Sequence, residues 1–149
     1  MSPTVREEEK ALHQRAIFDG IPIPVLIVDE DVRIQDFNTA AEELLGPESV
    51  TALYRLCGEV FHCVNAEQNG CGKAESCCAC AIRTSVNRAV AGEPVHRKMH
   101  VTKLRTPNRT VSQELLISAT LLPFTETPQV LLALEDISRI VALRKARNR

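Results

Sequence analysis

A chain of 149 residues, 44% apolar and 25% charged, is long enough for one globular domain with its own core. Its formal net charge of −1 excludes a general electrostatic binder of nucleic acid, and 3% aromatic residues with no tryptophan exclude base-stacking platforms. No apolar run approaches the roughly 18 residues of a membrane span, and the polar opening MSPTVREEEKALHQR lacks the apolar segment of a secretory signal. The expected compartment is therefore the cytoplasm, where thiols stay reduced.

Residues 5–18 read as a helix whose thin apolar stripe, Val5, Leu12 and Ala16, suits weak packing or a partner helix. Gly20, Pro22 and Pro24 end it. Residues 25–28 are an apolar strand, residues 29–31 a tight turn, and Val32 and Ile34 alternate with Arg33 and Gln35 in a second strand reaching Phe37. A short helix follows over residues 38–46. Thr39 and Glu42 fit a capping box, with Asn38 as the competing N-cap, and Gly46 closes the helix behind the inward Leu44 and Leu45.

Residues 47–80 sustain no period. A helix returns at 81–90, with Ile82, Val86, Ala89 and Val90 on one face and Gly92 and Pro94 at its end. Three strands are expected at 95–104, 111–124 and 130–136, the first two joined by a turn at 106–109. The middle strand puts Leu115, Ile117, Ala119 and Leu121 on one face and Glu114, Ser118 and Thr120 on the other. A basic helix begins at residue 138. This order predicts an α+β fold, a five-stranded antiparallel sheet with helices on one face.

Three stretches carry a family likeness: IPIPVLIVDEDVRIQDFNTAAEELLG, AVAGEPVH and LLALEDISRI. Over about residues 18–143 the chain resembles a PAS domain. The resemblance implies residues 1–19 as an N-terminal helical arm, 20–137 as the PAS domain, and 138–149 as the start of a C-terminal signalling helix. It also implies a sensory module that passes a change to an output domain, such as the histidine kinase of a bacterial two-component system. A homodimer through the terminal helices is the expected assembly, with no nucleic acid or membrane partner. The chain shows no phosphoacceptor helix and no ATP-binding motif, so the expectation is a non-catalytic input module, either a standalone sensor or, as the ending IVALRKARNR favours, a fragment of a longer protein.

All six cysteines lie between Cys57 and Cys80. Cys63, Cys71, Cys77 and Cys80 give C-x7-C-x5-C-x2-C, and the closing CxxC lets two thiolates reach one metal while backbone amides bond to the sulfurs. Gly70 and Gly72 let the Cys71 loop turn sharply, and Lys73 and Arg83 offset thiolate charge. Cys78 diverges from its neighbour Cys77, so Cys78 and Cys57 rank below the four, and His62 is a further substitute ligand. Some cysteine-rich PAS domains of bacterial sensor kinases are similar here, with a Cys, a CG and a CxxC, and the likeness extends to those four positions alone.

Four thiolates suit zinc or an iron–sulfur cluster. A lone CxxC in irregular spacing favours a 4Fe–4S cluster, and with it redox sensing, over structural Zn. Thiol redox switching and reduced packing cysteines are the other readings. Further alternatives are a dimerisation module pinned by Zn and a small-ligand sensor with incidental cysteines. His96 and His100, beside Lys98 and Lys103, read as a solvated strand face, and no acid–base or nucleophile constellation is assembled.

Overall fold

The computed structural model describes residues 3–61, 63, 80–105 and 109–148. In chain order the elements are α1 (Pro3–Gly20), β1 (Val25–Asp29), β2 (Ile34–Phe37), α2 (Thr39–Leu45), a 3-10 turn (Gly46–Thr51), α3 (Cys57–Val60), α4 (Ala81–Val90), β3 (Val95–Arg105), β4 (Thr110–Leu121), β5 (Gln129–Asp136) and α5 (Ser138–Arg147). The strands form one antiparallel sheet ordered β2-β1-β5-β4-β3. The last strand thus fills the gap between two local hairpins, and the sheet closes only when β5 arrives.

Period-two alternation sorts the sheet into two faces. Leu26 and Val28 of β1, Leu115, Ile117 and Ala119 of β4, and Val130, Leu132 and Leu134 of β5 are buried. They pack with Ala41 and Leu45 of α2 and Ile82, Val86 and Ala89 of α4 in one core. The other face carries Met99, Leu116 and Glu135, paired across β3, β4 and β5. The alternation of β3 is broken by a bulge between Val95 and Lys98, where Arg97 takes a φ of 50° and donates its N–H to the Ser118 hydroxyl.

Two expectations are corrected. Strand β4 ends at Leu121, which is 36% exposed and not in the core. Leu122 donates to the Gln129 carbonyl at 2.8 Å, but Pro123 has no amide to continue the ladder and Phe124 has a φ of 62°. Asn38, not Thr39, caps α2: its backbone is extended (φ −90°, ψ 176°) and its side chain accepts from the Ala41 amide. Thr39 is already helical, and its amide bonds to Asp19. Of the expected turn at 106–109, residues 106–108 lie outside the described residues.

The Asn38 side chain is the junction of three elements. Its oxygen also accepts from Val25, and its amide donates to the carbonyls of Phe18, Ile21 and Ile23 at 3.0–3.3 Å. Beside it, Arg15 bonds to Asp19, to Asp36 and to the Phe37 carbonyl, with its guanidinium 5.3 Å from the Phe18 ring centroid. The C-terminal end of α1 is thereby fixed to the sheet, while residues 4–17 are exposed. Asn38→Ala strands buried backbone groups on all three elements. Urea denaturation should show a loss of about 3 kcal/mol or more, and a loss below about 1 kcal/mol would contradict this junction.

Candidate functional site

The cysteine segment is held by the fold at both of its ends. On the entry side, Val32 and Ile34 pair with residues 54–57: Cys57 donates to Val32 at 3.1 Å, Ile34 to Arg55 at 2.9 Å and Tyr54 to Ile34 at 2.6 Å. The single turn of α3 follows, and the Cys63 amide reaches back to the Gly58 carbonyl at 2.8 Å. On the exit side Cys80 is the N-cap of α4, with extended backbone (φ −61°, ψ 124°) and a carbonyl that accepts from Thr84 at 2.8 Å. First-turn amides of a helix lack intrahelical acceptors.

One tight turn touches both ends. In the β1–β2 turn the Asp29 carboxylate accepts from the amides of Asp31 and Arg33 at 3.0 and 2.9 Å. Val32 sits there with a φ of 66°, yet it is 2% exposed. A β-branched residue in that region costs roughly 1–3 kcal/mol and persists only where its surroundings hold it. Here the Val32 amide bonds to Asp29 and its carbonyl receives Cys57. The adjacent Asp31 carboxylate lies 3.1 Å from Arg83 in the first turn of α4.

Cys63 and Cys80 are half-buried at the two ends of the segment. Cys71, Cys77, Cys78 and His62 lie outside the described residues, as do Gly70, Gly72 and Lys73. Among the described residues no group of three or more His, Cys, Asp or Glu side chains is placed to hold a metal. Cys57 is 2% exposed within the apolar core, so it packs with the sheet and not on the open side. Arg83, expected to offset thiolate charge, pairs with Asp31 at 3.1 Å. His96 is exposed and His100 half-buried; burial, then the charge of Lys98, holds the His100 imidazole below its ordinary pKa.

Three contributors were missed from sequence: Asp31, Val32 and Ser85. Ser85 is 1% exposed, and its hydroxyl has no hydrogen-bond partner among the described residues. It lies three residues after Ile82 and four before Ala89, so the helical period already placed it on the inner face. The positive φ of Val32 leaves no mark in composition.

A family model described as PAS domain matches residues 12–78, the stretch from α1 into the cysteine segment. The chain has the PAS fold. The PAS domain of an HTR-like protein from Haloarcula marismortui is 19% identical with a TM-score of 0.56, covering 90% of this chain and 97% of that one. The PAS domain of nitrogen regulation protein NR(II) from Vibrio parahaemolyticus is 15% identical (TM-score 0.57; 83% and 97% covered). A domain of a sensory box sensor histidine kinase/response regulator from Geobacter sulfurreducens is 22% identical (TM-score 0.53; 86% and 96% covered). At such identities the likeness is one of fold. No curated protein sequence matches the chain significantly. Among the described residues no helix is long and apolar enough to cross a membrane.

The exit from this PAS fold is a polar joint. Asp136 accepts from the Ser138 amide and from Gln113, each at 2.9 Å, while the Ser138 hydroxyl accepts from the Glu114 amide at 2.9 Å. Burial opposes ionisation of Asp136, but hydrogen bonds from Ser138 and Gln113 outweigh it and hold the carboxyl below its ordinary range. The resulting stability is present above the unfolded carboxyl pKa of about 4 and is lost as pH falls through the lower folded value. Asp136→Asn should therefore be less stable than wild type at pH 7 by a few tenths of a kcal/mol after solvent screening. Denaturation at stepped pH should show that gap closing as pH falls below the unfolded carboxyl value of about 4; a pH-independent gap would contradict the joint.

Proposed function

We propose that this PAS domain, residues 20–137, is the sensory input module of a cytoplasmic signalling protein and that its stimulus acts through a cysteine-ligated centre. The ligands are Cys63, Cys71, Cys77 and Cys80, and the centre is an iron–sulfur cluster of the 4Fe–4S type, ahead of structural Zn. The observation that carries the reading is the placement of the two described ligands. Cys63 and Cys80, both half-buried, bracket the segment, and both of its ends are tied to the β1–β2 turn. The donor set fits such a centre: thiolates are its natural ligands, and Cys80 stands at the start of α4.

When bound, that centre supplies a charge sensitive to oxygen or redox state. The chain's own residues do the rest. Cys80 begins α4, and α4 lies on β3, β4 and β5. β5 runs through Asp136 and Ser138 into α5. A shift of the Cys80 end therefore has a continuous packed route to the C-terminal helix. Similar folds in a sensor histidine kinase and a nitrogen regulation protein support an attached output domain of that kind, with homodimerisation through the terminal helices.

Anaerobic purification tests the reading. The expected result is a brown protein with iron and sulfide in stoichiometric amounts and absorbance near about 400 nm. Cys80→Ser should abolish the metal content and lower stability by several kcal/mol, whereas Cys57→Ser should weaken the core and keep the metal. A colourless protein holding one zinc would move the reading to a structural pin, and a metal-free protein would overturn it. Ser85 favours a second reading, a small polar ligand between α4 and the sheet that uses its unmatched hydroxyl. In the ligand-free protein, Ser85→Ala should raise stability by about 1 kcal/mol, measured by thermal denaturation.

A further inference from the structure

The β1–β2 turn holds the two ends of the cysteine segment by different means. At the entry end the hold is backbone. The Cys57 amide donates to the Val32 carbonyl at 3.1 Å, the Ile34 amide donates to the Arg55 carbonyl at 2.9 Å, and Arg33 bridges to Leu56. Two non-glycine residues with a positive φ, Val32 at 66° and Tyr54 at 69°, stand in these two paired stretches. Such backbone persists only where the bonds around it over-determine it, so the entry end has one arrangement.

At the exit end the turn holds α4 through side chains. One Asp31 oxygen lies 3.1 Å from Arg83 and the other 3.8 Å from Arg33. Arg33 in turn donates to the Tyr54 carbonyl at 3.3 Å. One carboxylate thus stands between an arginine that follows Cys80 and an arginine bonded just before Cys57. The Asp31 side chain is 59% exposed and that of Arg83 18%. That exposure opens the pair to screening by salt, which the backbone ladder at the entry end escapes. Arg83 is the third residue of α4 and Cys80 its N-cap. These are the two positions that meet in a capping box, so they lie on one side of the helix start. Whatever fixes Arg83 also fixes the place of Cys80.

We propose that Asp31 is a positioning residue of the cysteine segment. Acting through Arg83, it sets the first turn of α4 and with it Cys80, while the Cys57 end stays locked to the turn by backbone bonds. The segment is therefore adjustable at one end only, the end that leads into α4 and onto β3, β4 and β5. The part of Cys80 as a ligand rests on the reading proposed above; the unequal hold on the two ends is independent of what the cysteines bind.

Native-state hydrogen exchange, read by NMR on the full chain, tests this. The Thr84 amide, bonded to the Cys80 carbonyl at 2.8 Å, reports on the exit end, and the Cys57 amide on the entry end. The Leu134 amide, bonded to the Pro24 carbonyl at 3.0 Å, reports on the sheet. Asp31→Asn should speed exchange at Thr84 at least about threefold, the scale of a solvent-screened ion pair, and leave Cys57 and Leu134 as in wild type. Raised salt should speed Thr84 exchange in wild type and not in Asp31→Asn. Asp31→Glu should restore wild-type protection. In an Arg83→Gln background Asp31→Asn should have no further effect, which separates action through Arg83 from any other role of the turn. Where Arg83→Gln perturbs folding, the glutamate rescue and the salt series decide. Unchanged Thr84 exchange in Asp31→Asn, equal acceleration at all three amides, or a full effect in the Arg83→Gln background would overturn the assignment. Metal content measured on the same samples reports separately on the thiolate centre.

Discussion

One buried amide organises the front of this domain. Asn38 accepts the backbone amides of Val25 and Ala41 and shares two amide protons among the carbonyls of Phe18, Ile21 and Ile23. Each of those groups lies at an element boundary, where the regular ladder leaves backbone without a partner. A single side chain thus caps α2, starts β1 and holds the prolines between α1 and β1 in one path. Arg15 adds its bonds to Asp19 and Asp36 on the exposed side, where solvent screens them; they orient the helix more than they stabilise it. This junction fixes the C-terminal end of α1.

The second constraint is strain. Val32 is held with a left-handed φ in a bonded turn: Asp29 closes it, the Cys57 amide donates to the Val32 carbonyl, and Asp31 reaches Arg83. The turn therefore connects the chain before the cysteine segment with the helix after it. Any change in the separation of those two ends works against a site already carrying backbone strain.

Much of the fold was legible because the hydrophobic periods were clean. Leu115, Ile117 and Ala119 repeat every second residue, Ile82, Val86 and Ala89 at helical spacing, and each set is buried as its period predicts. Legibility failed where long-range geometry overrides local pattern. Leu121 continues the period but falls where the hairpin closes. For the candidate site, the spacing of the cysteines was visible, and the fold adds where Cys63 and Cys80 sit and separates Cys57 from them as a core residue.

By itself the sequence determined the kinds and order of the elements, since those depend on side-chain period, proline and glycine punctuation and capping residues within a few positions of one another. Only the tertiary structure decided the strand order β2-β1-β5-β4-β3, the five bonds of Asn38, and the contact of one turn with both ends of the cysteine segment. Each of these joins residues far apart in the chain. Their pairing is chosen by the closing of the whole sheet around one core, a condition that no short window of residues contains.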